Sequence, residues 1–220
     1  MTIVRALAFT LLAALASSSA AAPFAVRLGA ERVALDVPPG FADTLELGSP
    51  RLQEMAEGLT SASNRILLFA LADADLRRFT LGDAPDLRRY LLIATPRAME
   101  RERVGLTQFR SYAVDATRGL GNPAQPTELR KFLAAQPPGR PVLIAELRRT
   151  PQAVSLLLGS RLAGPEGKSV YLLSTTTMLL VQAKTLNLLA YTGYDDDADL
   201  DWLRDTTLRW VDELQRLNAR

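Results

Sequence analysis

Asp195, Asp196, Asp197, Asp199 and Asp201 place five carboxylates within seven residues. Asp195, Asp197 and Asp199 match the first, third and fifth positions of a calcium loop. Such a loop also needs Gly at the sixth position and a bidentate Glu at the twelfth, and this chain has Leu200 and Thr206 there. The cluster therefore reads as a helix start, whose acids cap free N–H groups and meet the positive end of the dipole, each worth about 0.3–1 kcal/mol. We expect no metal site.

The chain has no His and no Cys. That excludes the Ser–His and Cys–His nucleophile pairs, imidazole base catalysis, Cys-type zinc sites and disulfides. Gly164-Pro-Glu-Gly167-Lys168-Ser169 resembles the end of a phosphate-binding loop, but Leu162 stands where that loop needs its first Gly. A strand, not a helix, is predicted to follow, so the segment reads as a hairpin turn. Ser174-Thr-Thr-Thr177 lacks a Lys three residues after any Ser and is predicted to alternate faces of a strand. A carboxylate pair is the one catalytic option left, with Glu128 and Glu146 as candidates. No motif marks such a pair, and two Trp, five Tyr and seven Phe are a thin supply for sugar stacking. No catalytic, cofactor-binding or metal-binding residue is assigned.

Trp202 lies off the apolar stripe of its helix and is the candidate partner-binding residue, since exposed Trp often anchors an interface. The competing reading is a staple packed along a neighbouring loop at the helix start. The pairs Arg77/Arg78, Arg88/Arg89 and Arg148/Arg149 flank predicted strand ends and read as solvated edges.

These residues need a frame. Phe24–Asp36 alternates apolar and polar residues about Gly29-Ala30 and predicts a hairpin, closed by Pro38-Pro39-Gly40. Ser49 and Pro50 predict a capped helix over Pro50–Leu59 with Leu52, Met55, Ala56 and Leu59 on one side. Arg65–Ala72 and Arg88–Thr95 are continuous apolar runs, as expected of strands covered on both faces. Asp73–Thr80 reads as a short helix or turn. Thr107 is predicted to cap a helix with Phe109, Ala113 and Ala116 on one side, and Thr127–Ala135 is another short helix.

From Pro141 the period changes to two. Val142–Leu147, Ala153–Leu158, Ser169–Leu180 and Thr185–Tyr191 predict an antiparallel meander with hairpin links. A long helix over Asp197–Leu217 carries Leu200, Leu203, Thr207, Trp210, Val211, Leu214 and Leu217 on one face. The fold class expected is α+β, an α/β/α sandwich around a largely antiparallel sheet, with an N-terminal hairpin and a long C-terminal helix.

Residues 1–22 read as a cleaved secretory signal: Arg5, the apolar Ala6–Ala16, then the small residues 17–22. The run is shorter than the roughly 20 apolar residues of a spanning helix, and no later segment approaches that length. Residues 23–220 are read as a single domain, periplasmic or secreted. Net charge is +2, and removing residues 1–21 takes away Arg5 and no acid, leaving +1. That balance argues against a nucleic-acid partner.

The hairpin ending ALDVPPGF (Ala34–Phe41), the capped helix, the antiparallel sheet and the long last helix resemble the PsbP-like α/β/α sandwich superfamily. AYTGYDDDADLDWLRDTTLRWVDEL (Ala190–Leu214) is similar to exported bacterial members with no assigned function. The resemblance is one of layout across most of residues 24–217. It implies an accessory binding module rather than an enzyme. Photosynthetic members help a membrane complex hold its ions, using His among other groups; with no His here, no metal role and no functional residue carry over. The reading is an exported, non-catalytic protein that binds a protein partner. The alternative is a small-molecule or lipid binder with a pocket between sheet and helices, with a carboxylate-based hydrolase third.

Overall fold

The computed structural model describes residues 22–164 and 167–219. Apart from Ala22, the expected export signal lies outside the described residues. Phe24–Leu28 (β1) and Glu31–Leu35 (β2) form the N-terminal hairpin, a two-stranded sheet of its own. Val26 opposes Val33 and Arg27 opposes Arg32; Val33 is buried, while both arginines are exposed. At the turn Gly29 has φ 58°, and a Cβ there would stand 3.1 Å from the Arg101 backbone. Both the backbone angle and the close approach require glycine.

The chain continues through Phe41–Asp43 (β3), Pro50–Gly58 (α1), Asn64–Ala72 (β4), Asp73–Thr80 (α2), Arg89–Pro96 (β5), Leu106–Thr117 (α3) and Leu129–Ala134 (α4). Val142–Thr150 (β6), Ala153–Ala163 (β7), Ser169–Val181 (β8), Lys184–Gly193 (β9) and Asp197–Leu217 (α5) complete it. Seven strands make one sheet in the order β3-β4-β5-β9-β8-β7-β6, and each neighbouring pair is antiparallel. After β5 the chain runs through α3 and α4 to the far edge. It then returns strand by strand until β9 closes against β5. The four period-two segments are therefore consecutive neighbours, as expected.

Both faces of the sheet are covered, which explains the unbroken apolar runs. On β4, Leu68 and Ala70 pack towards α5 and the N-terminal hairpin, whereas Phe69 and Leu71 pack towards α1. Leu68, Phe69 and Leu71, removed from water, each contribute roughly 1.5–3 kcal/mol. On the second face Phe109 and Ala113 of α3 meet Val154, Leu156, Leu158, Met178 and Leu180. The molecule is an α/β/α sandwich.

Helix α5 closes the first face. Asp196 is its N-cap and accepts from the Ala198 N–H at 2.9 Å; Asp197 and Asp199 lie in its first turn and Arg216 in its last, matching the dipole. Leu203, Thr207, Trp210, Val211 and Leu214 are buried. Thr207 shares a 2.6 Å hydrogen bond with Thr175 of β8. At the other end Asn218 accepts from the Ala34 N–H and donates to the Ala34 carbonyl, both at 2.9 Å. It thereby ties the helix to β2 as an added strand residue would.

Some local expectations change. Ser49 is the N-cap residue of α1, but its side chain makes no cap bond. The N-cap of α3 is Gly105 rather than Thr107, and α4 is shorter than expected because Glu128 is its N-cap. Strand β3, only three residues at the sheet edge, was not expected from the pattern.

Candidate functional site

Both tryptophans stand on α5, eight residues apart, and line one cleft of about 760 Å³. One wall is α5 from Trp202 to Arg216, and the other is Asp36–Pro39 with Phe41. At about 1.5 Å of rise per residue the helical wall is roughly 21 Å long.

The second wall is stiff by composition. Leu35 and Val37 are buried on either side of Asp36 and anchor it. The Trp210 indole N–H donates to the Asp36 carbonyl at 2.9 Å. Pro38 and Pro39 have fixed φ and no N–H. The Phe41 N–H closes the turn onto the Pro38 carbonyl at 3.2 Å, and the Gly40 carbonyl accepts from Asp73 at 3.0 Å.

Trp202 is half-buried at one end of the cleft. Its ring stacks on Phe41, with centroids 5.9 Å apart and planes at 29°. The Arg89 guanidinium lies over the same ring, 4.3 Å from its centroid. Trp202 is thus packed along the neighbouring segment and also presented to the cleft. Arg89 is held by Asp199 at 2.8 Å, and Asp199 is bound by Arg88 at 3.0 Å and by the Asp195 N–H at 3.0 Å.

The cleft's charges differ in how they are matched. Arg216 pairs with Glu213, and Asp212 pairs with Arg148 from outside the cleft. Arg209 is exposed and makes no ion pair among the described residues. Burial pushes the Asp36 carboxyl above its ordinary value; the Val37 N–H partly offsets this, while Glu213 adds to it and Arg216 opposes it.

The acidic cluster is engaged internally. Asp196 caps the helix, Asp197 accepts from the Tyr194 hydroxyl at 3.2 Å, and Asp195 pairs with Arg88 at 2.6 Å. Asp199 is buried between two guanidiniums. Arg88/Arg89 and Arg148/Arg149 are therefore not simply solvated edges: the first pair clamps Asp199, Arg148 reaches Asp212, and Arg149 pairs with Glu146. Glu128 has Lys131 as its partner at 3.6 Å, so the two candidate catalytic acids have separate local partners. Thr175 and Thr177 are buried, and Ser174 and Thr176 face the other way, as strand alternation requires. Gly164 and Lys168 close the β7–β8 link by a 2.8 Å backbone bond, a hairpin end as read from the sequence.

Sequence reasoning missed Phe41, Arg89 and Arg209 as parts of one site. A usable signal was there: the VPPGF segment had to pack on something, and α5 carries two Trp about two turns apart.

No family model matches the chain, and no curated protein does. Two solved structures align with it. The Saccharomyces cerevisiae Ran-binding protein Mog1p is 11% identical over 90% of this chain and 93% of that one, with a TM-score of 0.38. A point mutant of Mog1 is 11% identical over 90% and 94%, with a TM-score of 0.36. Likeness at that level carries no argument about this chain.

Proposed function

We propose that the protein is a non-catalytic binding module that holds an extended segment of a partner protein between Asp36–Phe41 and α5. The observation that carries this reading is the cleft itself: an aromatic and proline floor of Trp202, Phe41 and Pro39, beside Arg209, which makes no ion pair among the described residues. Aromatic anchors in a desolvated centre with a polar rim are the usual anatomy of a protein interface. At about 3.3 Å per extended residue, a wall of roughly 21 Å suits about six residues of chain. Arg209 asks for an acid in the bound segment, close to the side chain that meets Trp202. Against hydrolysis, Glu213 and Asp212 are already paired with arginines, and Asp36 accepts from the Val37 N–H at 2.8 Å. Export through residues 1–22 and membership of the PsbP-like superfamily belong to the same proposal, and both agree with an accessory role.

Peptides selected from a displayed random library on the purified protein test it. Selected sequences should pair a large apolar residue with a nearby acid. Their affinity should fall about tenfold or more for Trp202→Ala and for Arg209→Glu, and stay unchanged for Arg110→Ala on α3. A selection that yields no binder, or binders indifferent to both cleft substitutions, overturns the proposal.

A further inference from the structure

The opposite face of the sheet has a second concavity, bounded by the end of α1 and its following loop on one side and by α3 on the other. It encloses about 340 Å³ over the middle of β8 and β9, and none of its lining residues is charged. Its floor includes Leu189, Thr176 and Tyr191, and Leu59 and Tyr112 stand on its two sides. Thr176 and Leu189 are directly opposed in the β8–β9 ladder, and Asn187 and Tyr191 flank Leu189 on the same strand face. Tyr191 is half-buried and stacks on Tyr90 with centroids 4.5 Å apart and planes at 16°.

Polar groups in this apolar groove are left over. Asn187 accepts from the Tyr112 hydroxyl at 2.9 Å, which fixes the amide, while its Nδ2 has no partner among the described residues. The Thr176 hydroxyl and the Tyr191 hydroxyl likewise have none among them and, like the Asn187 Nδ2, stay open to solvent. An apolar concavity with a few polar groups left free to bond is how small-molecule sites are built. An ion would lose its hydration there with no opposite charge to replace it. The volume sits near the lower end of ligand pockets, about 300–1,000 Å³, which suits one or two fused rings.

We propose that this groove binds a small, flat, uncharged aromatic molecule carrying a hydrogen-bonding oxygen. The ring packs against Tyr191, and the oxygen takes the Asn187 amide and the Thr176 hydroxyl. The site is on the other side of the sheet from both tryptophans, so it stands or falls independently of the peptide-binding cleft.

The test uses 2-naphthol as probe and 2-naphthoate as its charged control, followed by calorimetry and by amide NMR shifts on the mature protein. The expected result is saturable binding of 2-naphthol, with shifts centred on residues 187–191 and 176. Asn187→Leu and Tyr191→Leu should each weaken it about tenfold, and 2-naphthoate should bind wild type about tenfold more weakly. Trp202→Ala should leave it unchanged. No binding of 2-naphthol, equal binding of the anion, indifference to both groove substitutions, or shifts centred on Trp202 would each overturn the proposal.

Discussion

Asp199→Asn is the substitution that most directly probes the joint holding Trp202 in place. The Asp199 side chain is 4% exposed, whereas those of Arg88 and Arg89 are 46% and 33% exposed. Asparagine keeps the shape and one acceptor oxygen but removes the charge. Hydrogen bonds to charged groups are worth about 1.5–3 kcal/mol, and breaking a fully buried pair costs about 3–5 kcal/mol. Half-exposed Arg88 regains water, which discounts the upper figure, so the expected loss is about 2–3 kcal/mol. For a chain of this size each kcal/mol moves Tm by about 2–4 °C, hence a drop of about 4–12 °C. The pH dependence follows from the direction of the shift. Burial raises the Asp199 carboxyl, but the Asp195 N–H and the Arg89 and Arg88 guanidiniums outweigh it and hold it below its ordinary value of 3.8. A depressed folded pKa gives stability that is present above about pH 4 and is lost as pH falls through the folded value. Urea unfolding of wild type and variant at pH 7, repeated in acid, should therefore show a gap that narrows towards about pH 2. A gap below about 0.5 kcal/mol at pH 7, the range of an ordinary surface change, would refute the reasoning. A gap that stays constant into acid would refute it equally.

Leu214→Ala removes a fully buried contact of α5 with the sheet and should cost about 2–5 kcal/mol in urea unfolding with unchanged m. Gln182 and Ala183 join β8 to β9 with φ of 50° and 55°, a turn that favours Gly or Asn. Ala183→Gly should therefore stabilise by about 0.5–1 kcal/mol, and a lower urea midpoint would contradict that. Millimolar calcium should give no saturable rise in Tm, because Asp195, Asp196, Asp197 and Asp199 are engaged by partners within the protein; a calcium-specific shift of several degrees, absent with magnesium, would reverse this.

The layers were legible because their signal is periodicity. The four period-two segments from Val142 to Tyr191 became four neighbouring strands, and the Leu203–Trp210–Leu214 stripe became the buried face of α5. Strand β3 was not legible, since three residues are too few to show a period and it is defined only by its pairing with β4. The Arg88/Arg89 clamp on Asp199 joins residues about 110 positions apart, which no local pattern records. Lys184 is a similar case: it is buried at the start of β9 with its ammonium donating to the Glu100 and Glu102 carbonyls, a contact set by loop geometry rather than by residue type. Trp202 was found because it broke its helix stripe, but Phe41 and Arg89, which pack on it, come from two other strands. A site assembled from three elements shows in sequence only as one residue out of place.

The most direct test of the binding claim is to titrate a selected peptide into the protein and follow the two indole N–H signals by NMR. The chain has two Trp, and both line the cleft, so two signals report on it. The account predicts that the Trp202 signal moves most, that the Trp210 signal moves with it, and that both saturate with the dissociation constant found by calorimetry. Saturable peptide binding that leaves both indole signals in place would put the partner elsewhere on the molecule and contradict the account.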